Sequence, residues 1–257
     1  MTLPQAIALA VAALLGGALN SVAGGGSFIT LPTLVFTGVP PVQSSATSTV
    51  ALWPGSITSA VAYRKSLVTR RATLIVLGAA SVVGGVLGAE VLLHTAQKAF
   101  LGLIPYLLLL ATLLFAFGGQ VTTWMRGRAR ADKGRLPGWL ALGLLVPPQL
   151  LIAAYGGFFG GGIGMLMLAL LSIAGMRDIH AMNALKNILA SCINGVAVIT
   201  FVVAGAVFWA QALVMVVGAV AGGYFGVVVA RRINPTLVRY FVILVGLGMS
   251  AYFFVYH

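Results

Sequence analysis

The chain has 257 residues, 60% of them hydrophobic and 7% charged, with a mean hydropathy of +1.08. A soluble domain carries about a quarter charged residues, so composition excludes a water-soluble fold and leaves one polytopic membrane domain. The net charge of +12 does not imply nucleic acid, because the basic residues sit in short runs between apolar segments, as orientation signals do.

Ten apolar segments are predicted as helices. They lie at 3–22, 27–39, 44–62, 73–92, 99–118, 138–157, 163–176, 182–204, 207–230 and 236–256. The first resembles a signal peptide in ending on "SVA", but its first 20 residues hold no Lys or Arg, so it is read as a retained span. Next comes "AGGGSFITL" at 23–31, three glycines before an unusually short segment. Between the fifth and sixth segments lies the one substantial polar linker, "QVTTWMRGRARADKGRLPG". The chain is thus predicted to comprise a first membrane repeat over 1–118, a basic cytoplasmic linker over 119–137 and a second repeat over 138–257.

The halves correspond. "FGGGIGMLM" at 159–167 repeats the glycine run before a second short segment, and "GGVLGA" at 84–89 matches "GGYFGV" at 222–227, an offset of 138. These GGxxG runs are read as small-residue faces for close helix packing. If all ten segments cross, fourteen of the fifteen basic residues fall on one side and Lys98 alone on the other, which places the linker in the cytoplasm and both termini outside. Five crossings per half make the halves inverted repeats, a transporter architecture.

Segments of 13 and 14 residues span about 20 Å, too little for ~30 Å of hydrocarbon. Irregular backbone at that depth is tolerated when buried in protein or lining a cavity. The expected site is therefore a pair of glycine turns at helix N-termini, formed by Gly24, Gly25, Gly26 and Ser27 in one half and Gly160, Gly161 and Gly162 in the other, cradling an anion with backbone N–H groups. Side chains join from the third segment of each half. Asn183, Lys186, Asn187 and Asn194 share one helical face, and at offset 138 Ser45, Ser48, Thr49 and Ser56 share the matching face. Snorkelling of Lys186 to headgroups and polar helix packing are the plainer alternatives.

The chain has three acidic residues. Glu90, Asp178 and the nearby His180 are the candidates for proton coupling, with an interfacial group or local ion pair as the plainer reading of each. A cation carrier would need intramembrane carboxylates, which are almost absent. The single Cys192 allows no internal disulfide. His94, His180 and His257 have no ligand spacing, and no nucleophile stands with a base. The expectation is neither an enzyme nor a cofactor or metal protein. It is a carrier whose partners are a small anion and the lipid bilayer, with homo-oligomerisation left open.

The stretches "NSVAGGGSFITLPTLVFTGVPP", "GGFFGGGIGMLMLALLSIAGMRDIHAMNALKNILASCINGVAVITFVVAG" and "GGYFGVVVARRINPTLVRYFVILVG" resemble the sulfite exporter TauE/SafE family, with "MNALKN" the most specific piece. The resemblance implies a bacterial inner-membrane permease for sulfur-containing anions such as sulfite or organosulfonates, commonly in the export direction. A passive anion channel and, more remotely, an assembly or scaffold protein are the other readings.

Overall fold

The computed structural model describes residues 1–22, 24–67, 69–131, 138–176, 178–230 and 235–256. Ten α-helices are found among them: α1 (Leu3–Val22), α2 (Ser27–Phe36), α3 (Pro41–Tyr63), α4 (Arg71–Leu93), α5 (Gln97–Ala131), α6 (Gly138–Phe158), α7 (Ile163–Ile173), α8 (Ile179–Val203), α9 (Trp209–Ala230) and α10 (Pro235–Tyr256). The protein is all-α and polytopic, as its segment pattern predicts. Five helices among the described residues (α1, α4, α5, α8 and α9) are long and apolar enough to cross a membrane.

Helix bounds differ from the apolar segments where hydropathy and hydrogen bonding report different things. α5 continues to Ala131, well past the apolar stretch, because hydropathy marks where lipid ends and not where the backbone stops winding. The rest of the predicted linker, including Asp132, Lys133 and Arg135, lies outside the described residues, as do Arg177, Arg231 and Arg232. α8 begins at Ile179 with Asp178 as its N-cap, the carboxylate accepting from the His180 N–H at 2.9 Å. α3 starts with Pro41 at its first turn, where a missing N–H does no harm.

The short segments become shorter still. α2 has 10 residues and α7 has 11, about 15 Å each at 1.5 Å per residue. Each ends in a left-handed glycine, Gly38 or Gly175, both at φ 88°. The Val39 N–H bonds to the Leu34 carbonyl and the Gly38 N–H to that of Val35, and the second half repeats this with Met176 to Leu171 and Gly175 to Ser172. These are paired Schellman stops.

Most helix pairings among the described residues are preserved when each helix is exchanged for the one five places along, the α3–α5 contact being an exception. α1 packs on α9 as α6 packs on α4, and α3 packs on α9 as α8 packs on α4. α1 with α2 and α3 matches α6 with α7 and α8, while α3–α8 and α5–α10 map onto themselves. Trp53 donates its indole N–H to the Ser191 carbonyl at 3.1 Å, and the two positions are separated by the repeat offset.

The GGxxG runs form the closest of these packings. A Cβ on Gly84 or Gly88 would run into the α6 backbone at Leu150 and Ala154, and one on Gly222 or Gly226 into the α1 backbone at Leu14 and Ala18. Without side chains the helices approach to backbone contact, and dispersion accumulates along the seam. α3 lies at the centre, against α1, α2, α5, α8 and α9. It faces protein more than lipid, which is why it can carry eight Ser and Thr residues, several of whose hydroxyls donate to backbone carbonyls. Examples are Ser59 to Gly55 and Gly223, at 2.8 and 3.1 Å.

Candidate functional site

Local sequence dictates the two breaks. A chain leaving α1 must reverse and restart as α2 within four residues, and that needs a left-handed backbone. Gly24 supplies it at φ 80°, and Gly160 and Gly162 do the same in the second half at 78° and 80°. The Gly24 N–H bonds to the Leu19 carbonyl at 3.0 Å and the Gly160 N–H to that of Tyr155 at 3.4 Å. Gly26 and Gly162 then precede the first residues of α2 and α7.

The turns meet. The Gly162 N–H donates to the Gly24 carbonyl at 3.0 Å. A Cβ on Gly24 would lie 2.7 Å from the main chain of Gly164, and one on Gly160 would lie 3.2 Å from Ser27 Oγ. The N-terminal ends of α2 and α7 therefore face one region, and their partial positive charges add there.

That region holds a cavity of about 20 Å³ with Asn20, Gly24, Ser27, Gly160 and Gly164 along the turns. Thr49 and Ser56 reach it from α3, and Lys186, Asn187 and Asn194 from α8. No carboxylate is among the described residues that line it. Thr49, Leu52 and Ser56 are the offset-138 counterparts of Asn187, Ala190 and Asn194, so the two halves contribute matching faces.

Lys186 is 1% exposed. It lines the cavity and does not snorkel to the surface. Burying an ammonium in a membrane protein is expensive. The Asn187 Nδ2 donor is buried and makes no hydrogen bond to the described residues. It is a ready partner for a ligand oxygen.

Several expected residues stand outside the lining. Gly25 packs on Phe28 and Phe115, Gly161 on Phe159, and Gly162 on Ala111. Ser48 is bonded to Thr30 Oγ1 at 2.6 Å, tying α3 to α2. Ser45 and Asn183 are buried away from the cavity. The N–H groups of Gly24, Gly26, Gly160 and Gly162 are taken by Leu19, Asn20, Tyr155 and Gly24. These four amides therefore build the turns and do not themselves form a backbone cradle. Side chains and helix ends supply the polarity instead.

Asn20 and Gly164 are lining residues that repeat-matching did not find. Asn20 has no polar counterpart in the second half, and Gly164 lies inside α7, beyond the glycine run. The one legible signal is that Asn20 lies four residues before the first turn, where a short amide can reach forward to a free N–H.

The candidates for proton coupling lie elsewhere. Asp178 and His180 are exposed at the start of α8, where the carboxylate caps the helix. Glu90 lines a separate cavity of about 620 Å³ with Gln43, His94, Gln97 and Thr200. Its Oε2 is 3.8 Å from His94 Nδ1.

The family model described as "Sulfite exporter TauE/SafE" matches residues 9–253. A "Probable membrane transporter protein" of Haemophilus influenzae is 28% identical, over 91% of this chain and 88% of the relative. The "Probable membrane transporter protein ORF9" of Sinorhizobium sp is 27% identical, over 94% and 89%. The "Probable membrane transporter protein YfcA" of Escherichia coli is 26% identical, over 93% and 86%. No solved structure matches the chain.

Proposed function

The chain belongs to the sulfite exporter TauE/SafE family, and from that premise we propose that this membrane transporter is a secondary carrier of a small sulfur-containing anion such as sulfite or an organosulfonate. It works in the export direction, by alternating access at a site between two inverted repeats. The observation that carries this reading is the cavity at the meeting of the two glycine turns. It presents Lys186, Asn187, Asn194, Thr49 and Ser56 to one small volume, with no carboxylate among them.

Selectivity follows from that lining. The ammonium and the two helix N-termini favour negative charge, and the amides and hydroxyls can donate hydrogen bonds to it. A volume of about 20 Å³ holds roughly one water, so loading needs the halves to separate around the turns. Because the turns belong to opposite halves, separation breaks the Gly162–Gly24 contact without unwinding a full-length helix. A carrier that must reorganise to load differs from a passive channel, which needs a continuous open path.

In this reading all ten helices enter or cross the inner membrane of a bacterium, with the linker cytoplasmic and both termini outside. The support is the basic-residue bias and the pairing exchange of the helices. The cavity beside Glu90 and His94 then opens on the outer face.

The test is tracer flux in proteoliposomes, with sulfite as substrate and sulfate, taurine and acetate as competitors. Saturable sulfite flux above that of empty liposomes is expected. Correctly oriented protein without such flux would remove sulfite as the substrate.

A further inference from the structure

Asn20 closes the last turn of α1 and stands outside the repeat pattern. Its Oδ1 accepts a hydrogen bond from the Gly26 N–H at 2.8 Å, and its side chain lines the cavity. A Cβ on Gly26 would stand 2.9 Å from the carbon and nitrogen of the Asn20 amide. Gly26 is therefore the residue that lets this amide lie against the turn.

The two halves treat the position differently. Gly26 and Gly162 each precede a short helix, and the Gly162 N–H is satisfied by the Gly24 carbonyl of the opposite turn. Strict exchange of the halves would bond the Gly26 N–H to the Gly160 carbonyl. Asn20 takes that place, and both Asn20 and Gly160 face the cavity. The counterpart of Asn20, four residues before Gly160, is Gly156, which has no side chain. The second turn closes without a side-chain clasp, so the turn geometry does not require one. Among the polar side chains of the lining, Asn20 and Lys186 are the two with no lining side chain at the equivalent position; those positions hold Gly156 and Ser48.

We infer that Asn20 is a substrate-binding residue of this carrier. Its carbonyl oxygen is held by the first turn, which fixes the amide plane and commits its N–H donors to the oxygens of the anion that Lys186 attracts. The inference rests on the anion-transport reading above and adds a ligand to it. It also makes the site polar in sense: one half contributes Asn20, the other Lys186.

Two variants test it by sulfite flux in proteoliposomes. Asn20→Asp keeps the shape and the acceptor for Gly26 but replaces the donors with a carboxylate that competes for Lys186. Its KM for sulfite is expected to rise at least about tenfold with melting in detergent unchanged. Asn20→Ser removes the amide without adding charge, and a KM rise of about threefold or more is expected. KM values within about twofold of wild type in the variants that fold would overturn the inference. Unfolding of both would also overturn it, by making Asn20 a structural clasp. Wild-type protein with no saturable flux of any small anion refutes the transport reading itself, whereas robust wild-type flux left unaltered by the variants refutes only the role of Asn20.

Discussion

Gly162 donates its N–H to the carbonyl of Gly24 at 3.0 Å, and the two glycines belong to opposite halves of the chain. Both hold a left-handed backbone at φ 80°. This bond joins the two helix breaks at the edge of the cavity.

Substitution at the junction separates conformational from steric cost. Gly38 has φ 88° and open space around it, so Gly38→Ala is expected to cost about 1 kcal/mol from the left-handed backbone alone. Gly24→Ala bears the same cost and also meets the Gly164 main chain, which adds roughly 1–3 kcal/mol. Thermal melting in detergent is expected to rank the variants wild type, Gly38→Ala, Gly24→Ala. Equal melting of the two variants would mean that the turns do not pack as described.

The helix seams carry a second contrast. Gly88 faces the Ala154 carbonyl across the α4–α6 contact, whereas Gly78 of the same helix has nothing nearby. Gly88→Ala is expected to lower stability by about 1–3 kcal/mol through overpacking. Gly78→Ala is expected to be neutral or to stabilise by about 0.5–1 kcal/mol, because alanine loses less entropy in a helix. The same melting assay checks both.

Much of this architecture is legible in the chain, because glycine and apolar periodicity act locally. The glycine runs, the short helices that follow them and the matching faces of Asn187 and Asn194 with Thr49 and Ser56 follow from spacing alone. Other features depend on partners that spacing does not show. Ser48 was expected to face a substrate, yet its hydroxyl is bonded to Thr30. The glycine amides were expected to be free, yet Asn20 and Gly24 occupy those of Gly26 and Gly162. Asn20 was missed because a repeat comparison finds only residues that have counterparts. Lys186 shows the same limit, since headgroup contact and cavity lining differ by a rotamer that no periodicity encodes.

Asp178 separates capping from coupling. Its carboxylate accepts from the His180 N–H at the start of α8, so Asp178→Ala is expected to cost about 1 kcal/mol in stability. Flux and its dependence on a proton gradient should stay close to wild type. Loss of gradient dependence in a protein that melts normally would assign Asp178 a coupling role instead.

Topology is open to direct labelling. In a Cys192→Ala background, single cysteines at Thr2 and Ala96 are expected to react with a membrane-impermeant maleimide from outside, and one at Ser66 only from the cytoplasmic side. If α2 turned back without crossing, Thr2 would share a side with Ser66 and lie opposite Ala96. The pattern of three labels therefore distinguishes ten crossings from a re-entrant arrangement.

The most direct test of the cavity as an anion site is sulfite flux in proteoliposomes containing the Lys186→Met protein. Methionine fills similar space without the charge, so folding is expected to persist and is checked by melting. The account predicts saturable flux in wild type and a fall of at least about tenfold in kcat/KM in the variant, as expected for loss of a charged contact to substrate. Lys186→Met protein that folds and carries sulfite at the wild-type rate and KM would contradict it.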